Sequence, residues 1–307
     1  MRSDSDIVPL DKRTPGVAAI EPLIFPDLER LYARRADKLR ALTNEGQEDY
    51  ILLNKEYFLF LSHLVDGQKE IVLHSPLSPA DAATIRALAA DGYRDERLAE
   101  TLEALTAWQT AYAQLVAYLT PHLKPSIASD LAADLERLDV LSGQAALLLR
   151  GQYDQVDAGQ AVLLWAALSV CWAQAMRQHE VSSGGIGHAT HCPCCGALPV
   201  ASLVLGGDSE GLRYLQCSLC ETRWHRVRGV CVNCHSSADI QYYMLYEKSP
   251  VQAEACGTCN TFIKMFRLDY DPELEAVSQN LIDQFLDSLV EQQGFARLGF
   301  SPFSFHE

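Results

Sequence analysis

Apolar positions recur every three or four residues through the first 185 positions of the chain, and the period changes beyond them. DERLAETLEALTAWQTAYAQLVAYL places Leu98, Leu102, Leu105, Trp108, Tyr112, Leu115 and Leu119 on one face of a helix of about seven turns. FPDLERLYARRADKLRAL opens with Pro26 and Asp27, good first-turn residues, and carries Leu28, Leu31, Leu39 and Leu42. SPADAATIRALAADG has Ser78 as an N-cap, Pro79 at the first helical position and Gly92 as a stop. PSIASDLAADLERLDVL continues the helical pattern. DAGQAVLLWAALSVCWAQAMRQH is apolar on most faces, which predicts the central helix of a bundle with Cys171 packed as a small hydrophobe. Residues 1–185 therefore read as an all-α helical domain.

EVSSGGIGHATH has a linker composition, and the domain boundary is placed in it, near residue 185. LPVASLVL, LRYLQ, RWHRVRGV, IQYYMLYE and TFIKMFRL are short and rich in β-branched and aromatic residues, and the turn compositions GGDSEG and EKSP interrupt them. Residues 186–270 thus predict a small β domain of short antiparallel strands. DPELEAVSQNLIDQFLDSLVEQQG returns to helix between Pro272 and Gly294, and residues 271–307 form this helix and a tail without a clear pattern. The expected fold class is α+β.

Composition narrows the function classes. Hydrophobic residues make up 48% of the 307 positions, enough for a sizeable core. The formal charge of −15 opposes non-specific contact with a phosphate backbone, and no clustered basic patch offsets it, so no nucleic-acid partner is expected. The longest apolar run, AVLLWAALSVCWA, falls short of the ~20 residues a bilayer core requires, so no membrane partner is expected. The opening MRSDSDIVPLDKRTPG lacks the apolar segment of a signal peptide, and Arg34–Arg35 has no apolar stretch behind it, so cytoplasmic location is expected. Oligomeric state has no signature here.

Ten cysteines carry the candidate chemistry, nine of them between Cys192 and Cys259. They include four CxxC pairs: Cys192/Cys195, Cys217/Cys220, Cys231/Cys234 and Cys256/Cys259. The spacing C-x2-C-x21-C-x2-C occurs twice, offset by 39 residues, and marks an internal repeat. A two-residue gap lets both sulfurs face one ion, and the long spacer forms a hairpin that returns the second pair to close a tetrahedron at about 2.3 Å from the metal. In a reducing compartment such an array reads as a metal framework rather than disulfides. The expected sites are Cys192, Cys195, Cys217 and Cys220 for one ion, and Cys231, Cys234, Cys256 and Cys259 for the other. An interleaved grouping, first pair with third and second with fourth, is the rival. Four thiolates leave no open coordination position, so such a site is structural or electron-transferring rather than hydrolytic. Zinc and rubredoxin-type iron both accept tetrahedral sulfur.

The residue after each second cysteine often needs a left-handed backbone. Gly196 and Asn260 suit it, while Glu221 and His235 do not obviously help. His225 reads as a half-exposed strand residue, with a role beside the thiolates as the alternative. His235 could replace a sulfur, although the repeat already supplies four; His188 and His191 read as solvated. Arg226 and Arg228 alternate with Val227 and so share one strand face, either a partner contact or a solvated edge. Cys194 has no counterpart in the second unit, where Asn233 stands, and reads as a solvent-facing or packed thiol; if exposed it would oxidise first.

CPCCGALP, CSLCETRWHRVRGVCVNC and ACGTCNTFIK, in that order, together with PLIFPDLERLYARRADKLRAL, resemble the FdhE family of formate dehydrogenase accessory proteins. The resemblance covers nearly the whole chain. It departs at Cys194, where an apolar residue is expected, and at Phe262, where tyrosine is expected. It implies a cytoplasmic, non-catalytic accessory protein whose partner is the formate dehydrogenase catalytic subunit. It also implies two rubredoxin-like metal modules and favours iron over zinc. Three function classes stay open at this point: an assembly protein that binds the immature subunit, a redox protein acting on it through rubredoxin-type iron, and a zinc-ribbon nucleic-acid binder. The acidity weighs most against the last.

Overall fold

The computed structural model describes residues 20–45, 49–177, 186–209 and 211–304. The polar opening segment and residues 178–185, where the expected boundary falls, lie outside the described residues. After a two-residue strand, β1 (Leu23–Ile24), the chain enters a helical layer. It comprises α1 (Leu28–Glu45), α2 (Asp49–His74), α3 (Pro79–Asp91), α4 (Leu98–Ala104), α5 (Thr106–Leu119), α6 (Pro125–Asp134), α7 (Leu138–Leu149) and α8 (Ala158–Met176). The pattern of the sequence had not announced α2, the longest of these.

Local signals act as expected at several ends. The Ser78 side chain accepts from the Asp81 N–H, and Gly92 closes α3 in a left-handed conformation at φ 66°. The seven-turn helix expected over residues 95–119 is instead broken at Leu105 (φ −85°, ψ 90°) into α4 and α5. Local side-chain bonds offset the lost turn. Trp108 Nε1 donates to the Leu102 carbonyl at 2.8 Å, and Gln109 donates to the carbonyls of Leu102 and Glu103. The break lets Leu102, Leu105 and Trp108 all be buried.

Helix α8 is the centre of the bundle. Fifteen of its nineteen residues are buried, Cys171 among them. The helix extends beyond the thirteen-residue apolar run, and by length and composition it is long enough to cross a membrane. Its faces are taken up by α2, α3, α5 and α7.

The β region follows the repeat. One unit contributes β2 (Pro199–Val204), β3 (Arg213–Cys217) and β4 (Arg223–His225); the other contributes β5 (Ile240–Tyr243), β6 (Val251–Cys256) and β7 (Thr261–Arg267). Within each unit the strands pair antiparallel. The two units are not separate modules. Ser202 to Val204 of β2 pair in parallel with Met265 to Arg267 of β7, which makes one mixed sheet in the order β1-β4-β3-β2-β7-β6-β5. β1, from the helical half, closes one edge, and the tail supplies β8 (Ala296–Arg297), parallel to β7.

The single C-terminal helix expected is split into α9 (Ala276–Ile282) and α10 (Gln284–Gln292) at Asp283. Buried Lys264 of β7 donates to the carbonyls of Asn280 (2.9 Å) and Asp283 (3.1 Å), inserting a side-chain donor at the break. Pro272 lies in the preceding turn, Glu275 caps α9, and Gly294 at φ 91° ends α10 as expected. A continuous apolar core runs from α1 and α8 into β2, β3 and α9.

Candidate metal centres

Each CxxC pair sits in a tight knuckle with the same backbone plan. The N–H of the first cysteine bonds the carbonyl five residues on: Cys192 to Ala197 (2.8 Å), Cys217 to Thr222 (2.9 Å) and Cys231 to Ser236 (2.9 Å). The residue after the second cysteine is left-handed in all four knuckles: Gly196 (φ 75°), Glu221 (φ 61°), His235 (φ 62°) and Asn260 (φ 53°). Only Gly196 and Asn260 are residues that favour this conformation; Glu221 and His235 hold it at some cost. Their side chains account for the choice, because both are engaged in contacts the sequence did not reveal. In the last knuckle the backbone approaches so closely that a Cβ on Gly257 would fall 1.9 Å from Asp239 Oδ2.

The knuckles meet in sequential order. Cys192, Cys195, Cys217 and Cys220 form one group and Cys231, Cys234, Cys256 and Cys259 the other, with all sulfurs of a group within 4.8 Å of one another. The interleaved grouping is not the one the fold adopts. In the first group Cys192 Sγ lies 3.6 Å from Cys220 Sγ, and Cys195 Sγ lies 3.3 Å from Cys217 Sγ. In the second, Cys231–Cys259 and Cys234–Cys256 are both 3.6 Å apart. A tetrahedron of sulfurs at about 2.3 Å from a metal has edges of about 3.8 Å, so both groups can hold an ion with small adjustment. The backbone N–H groups of Leu219 and Cys220 point at Cys217 Sγ, and that of Asn233 at Cys231 Sγ, each at 3.3 Å, which favours thiolate.

The thiols within each group differ in their hold on a proton. Burial pushes the Cys192 and Cys217 thiols well up. Cys220 is held well below its ordinary value despite burial, by its hydrogen bonds with the three partner sulfurs and Thr222. Cys259 is likewise held down to about 6, against the desolvation it feels, by Thr261 and the neighbouring sulfurs. Thr222 and Thr261 occupy equivalent positions in the two units, at 3.3 and 3.1 Å from those sulfurs. The 39-residue offset could have singled them out.

These features coincide with a known family. Three family models tile the chain: the FdhE N-terminal region over residues 20–183, the FdhE central domain over 191–228 and the FdhE C-terminal domain over 230–304. The chain belongs to the FdhE family. It is 36% identical over 301 residues to an FdhE homolog of Edwardsiella ictaluri, covering 95% of this chain and 94% of that one. An FdhE homolog of Cronobacter sakazakii is 37% identical over 303 residues, covering 96% and 94%. The crystal structure of the FdhE protein from Pseudomonas aeruginosa superposes with a TM-score of 0.74 at 28% identity, over 92% of this chain and 98% of that one.

In this FdhE chain the side chains around the knuckles differ from several expectations. Arg226 and Arg228 do not share a strand face, because β4 stops at His225. Arg226 turns inward to the carbonyls of Cys231 (2.7 Å) and Gly187 (3.0 Å) and to His235 Nδ1 (2.8 Å), while Arg228 remains exposed. His235 therefore supports the third knuckle through Arg226 instead of replacing a sulfur. His225 is half-buried on β4, edge-on to Tyr214 at 5.6 Å, and burial lowers its pKa. His188 and His191 are both exposed, as expected, and His188 lies edge-on to His235, with ring centroids 6.3 Å apart. Cys194 is packed, at 5% exposure, so the condition for its early oxidation is not met.

The largest feature unseen in the sequence is a buried ion cluster beside the second knuckle. Arg35 of α1 makes two parallel bonds to Glu221, at 2.7 and 2.9 Å, and two to Glu275 Oε1, both at 3.1 Å. All three side chains are at most 3% exposed. Gln216 adds a bond to Glu221, and Ser278 to Glu275. Desolvation opposes the charge on Glu275, yet Arg35 and the Ser278 donors hold its carboxyl below the usual range. Arg34, the other member of the pair, donates to the Pro272 carbonyl.

Proposed function

We propose that this protein is a non-catalytic accessory protein for maturation of respiratory formate dehydrogenase, and that it binds the catalytic subunit in the cytoplasm. The observation that carries this reading is membership of the FdhE family, matched between residues 20 and 304, together with two groups of four cysteines whose sulfurs lie within 4.8 Å of one another. Cys192, Cys195, Cys217 and Cys220 hold one metal ion in this reading, and Cys231, Cys234, Cys256 and Cys259 the second. Iron is favoured over zinc on the family resemblance. The bound ion supplies a cross-link between the two turns of each hairpin and, as iron, a one-electron couple. The chain's own contribution is a closed four-sulfur cage, backbone donors on the thiolates and a fixed surface around them. The described residues of the helical, double-knuckle and C-terminal regions present that surface together.

Two measurements test the reading. Elemental analysis after anaerobic purification is expected to find two ions per chain. Affinity capture of the catalytic subunit is expected from the wild type and not from Cys→Ser knuckle variants. Equal capture by folded, metal-free variants would remove the metal centres from the function.

A further inference from the structure

The two cysteine groups share a ligand pattern and differ in their surroundings. Cys192, Cys195, Cys217 and Cys220 are 3%, 0%, 0% and 1% exposed. In the second group Cys234 opens to solvent and Cys259 is half-buried.

A second, independent difference is what holds the knuckles. Three side chains from the helical region reach the first group. The Tyr93 hydroxyl, just after α3, donates to the Cys195 carbonyl at 2.8 Å and accepts from Trp172 Nε1 at 2.9 Å. Trp165 Nε1 of α8 donates to the Ser218 carbonyl at 2.9 Å. Arg35 of α1 clamps Glu221, directly after Cys220. Around the second group the hydrogen bonds among the described residues come from the strands of the sheet and the turns between them. Arg226 holds the Cys231 carbonyl, Gly257 N–H bonds the Asp239 carbonyl, and Ala296 N–H of β8 bonds the Asn260 carbonyl.

Metal leaves a four-sulfur site by stepwise ligand exchange. A thiolate swings away and takes up a proton while the incoming ligand reaches the ion. At the first group this opening has to break the contacts of Arg35, Tyr93 and Trp165 with the knuckles. At the second, Cys234 can swing outward with the sheet intact.

We infer that the two sites divide the work: the first is a latch that joins the helical region to the sheet, and the second is the exchange site, through which metal is lost and delivered. The inference rests on the metal-binding reading above and adds which site does what. Arg35, Tyr93 and Trp165 are positioning residues for the latch; none is a ligand.

The test mixes the zinc-loaded full chain with excess 4-(2-pyridylazo)resorcinol and follows release by absorbance. One equivalent is expected to leave at least about tenfold faster than the other. Cys234→Ser/Cys259→Ser should lose the fast equivalent while keeping the slow one and the far-UV circular dichroism spectrum. Tyr93→Phe should speed the slow phase by at least about threefold and leave the fast one unchanged. Release of both ions at one rate, a fast equivalent that persists in the double variant, or an equal effect of Tyr93→Phe on both phases would overturn the assignment. A full chain that takes up no zinc would overturn the metal-binding reading as well, whereas a single rate removes only the division between sites.

Discussion

Arg35→Met should unfold this protein more readily than any exposed charge removal, because it leaves two carboxylates buried against each other. Arg35 Nη2 bonds Glu221 Oε2 at 2.9 Å and Glu275 Oε1 at 3.1 Å, so those oxygens are no more than about 6 Å apart. At an effective dielectric constant near 20, two charges at that distance repel by about 3 kcal/mol. Loss of the pairing itself leaves the desolvation of both groups uncompensated, and together the cost is about 3–5 kcal/mol at pH 7. Protonating one carboxylate caps this, since at pH 7 it costs a few kcal/mol for a group with an ordinary pKa near 4.5. The pH dependence follows from Glu275, whose pKa lies below its ordinary value of 4.5 in the fold. Its stabilising contribution is present above the unfolded pKa and is lost as pH falls through the folded one. The gap between wild type and Arg35→Met should therefore shrink below about pH 4.5. Urea denaturation of the metal-saturated protein, followed by the fluorescence of buried Trp165, Trp172 and Trp224, measures it. The triple variant Arg35→Met/Glu221→Gln/Glu275→Gln removes the charges together and should recover most of the loss. A single variant within about 1 kcal/mol of wild type, or a triple variant no more stable than the single, would refute the reasoning.

Other perturbations follow from the same geometry. Tyr93→Phe removes partners from the Cys195 carbonyl and Trp172 Nε1 and should cost about 2–4 kcal/mol in urea unfolding. Burial lowers the Lys264 amine to about 8 although Asp287 lies 2.8 Å away, so the unfolded state binds more protons between about pH 8 and 10.5. Wild type should accordingly gain up to about 3 kcal/mol relative to Lys264→Met as pH rises through that window, and a flat difference between pH 8 and 10 would contradict it. Cys194→Ala should still bind two ions by elemental analysis, because Cys194 stands outside both sulfur groups. Cys171, buried and pushed up to about 12, should resist iodoacetamide until the chain is unfolded.

Several of these residues belong to patterns legible in the chain, and others do not. The cysteine grouping was readable because a metal site made of two knuckles and a hairpin is largely local. The spacing of a repeat encodes it, and the same offset carries the strands of one unit onto those of the other. The caps of α3 were readable for the same reason, since Ser78 and Gly92 act within one turn. The single helices expected over residues 95–119 and 272–294 both failed at points where a side-chain donor takes a backbone carbonyl. Trp108 does this at Leu102, and Lys264 at Asn280 and Asp283.

Nothing local says that β2 lies parallel to β7, that Arg226 turns inward, or that Glu221 holds a left-handed backbone for the sake of Arg35, 186 residues away. Position in the chain and chemical type alone determined the eight cysteines, their order and the helical-then-β plan. Packing decided which cysteine group is sealed and which is open, because burial of a knuckle depends on what the rest of the molecule lays over it. The same packing turned an arginine pair with no visible role into the joint between α1, the second knuckle and the C-terminal helices. A buried charge can be held only where its partners converge in space.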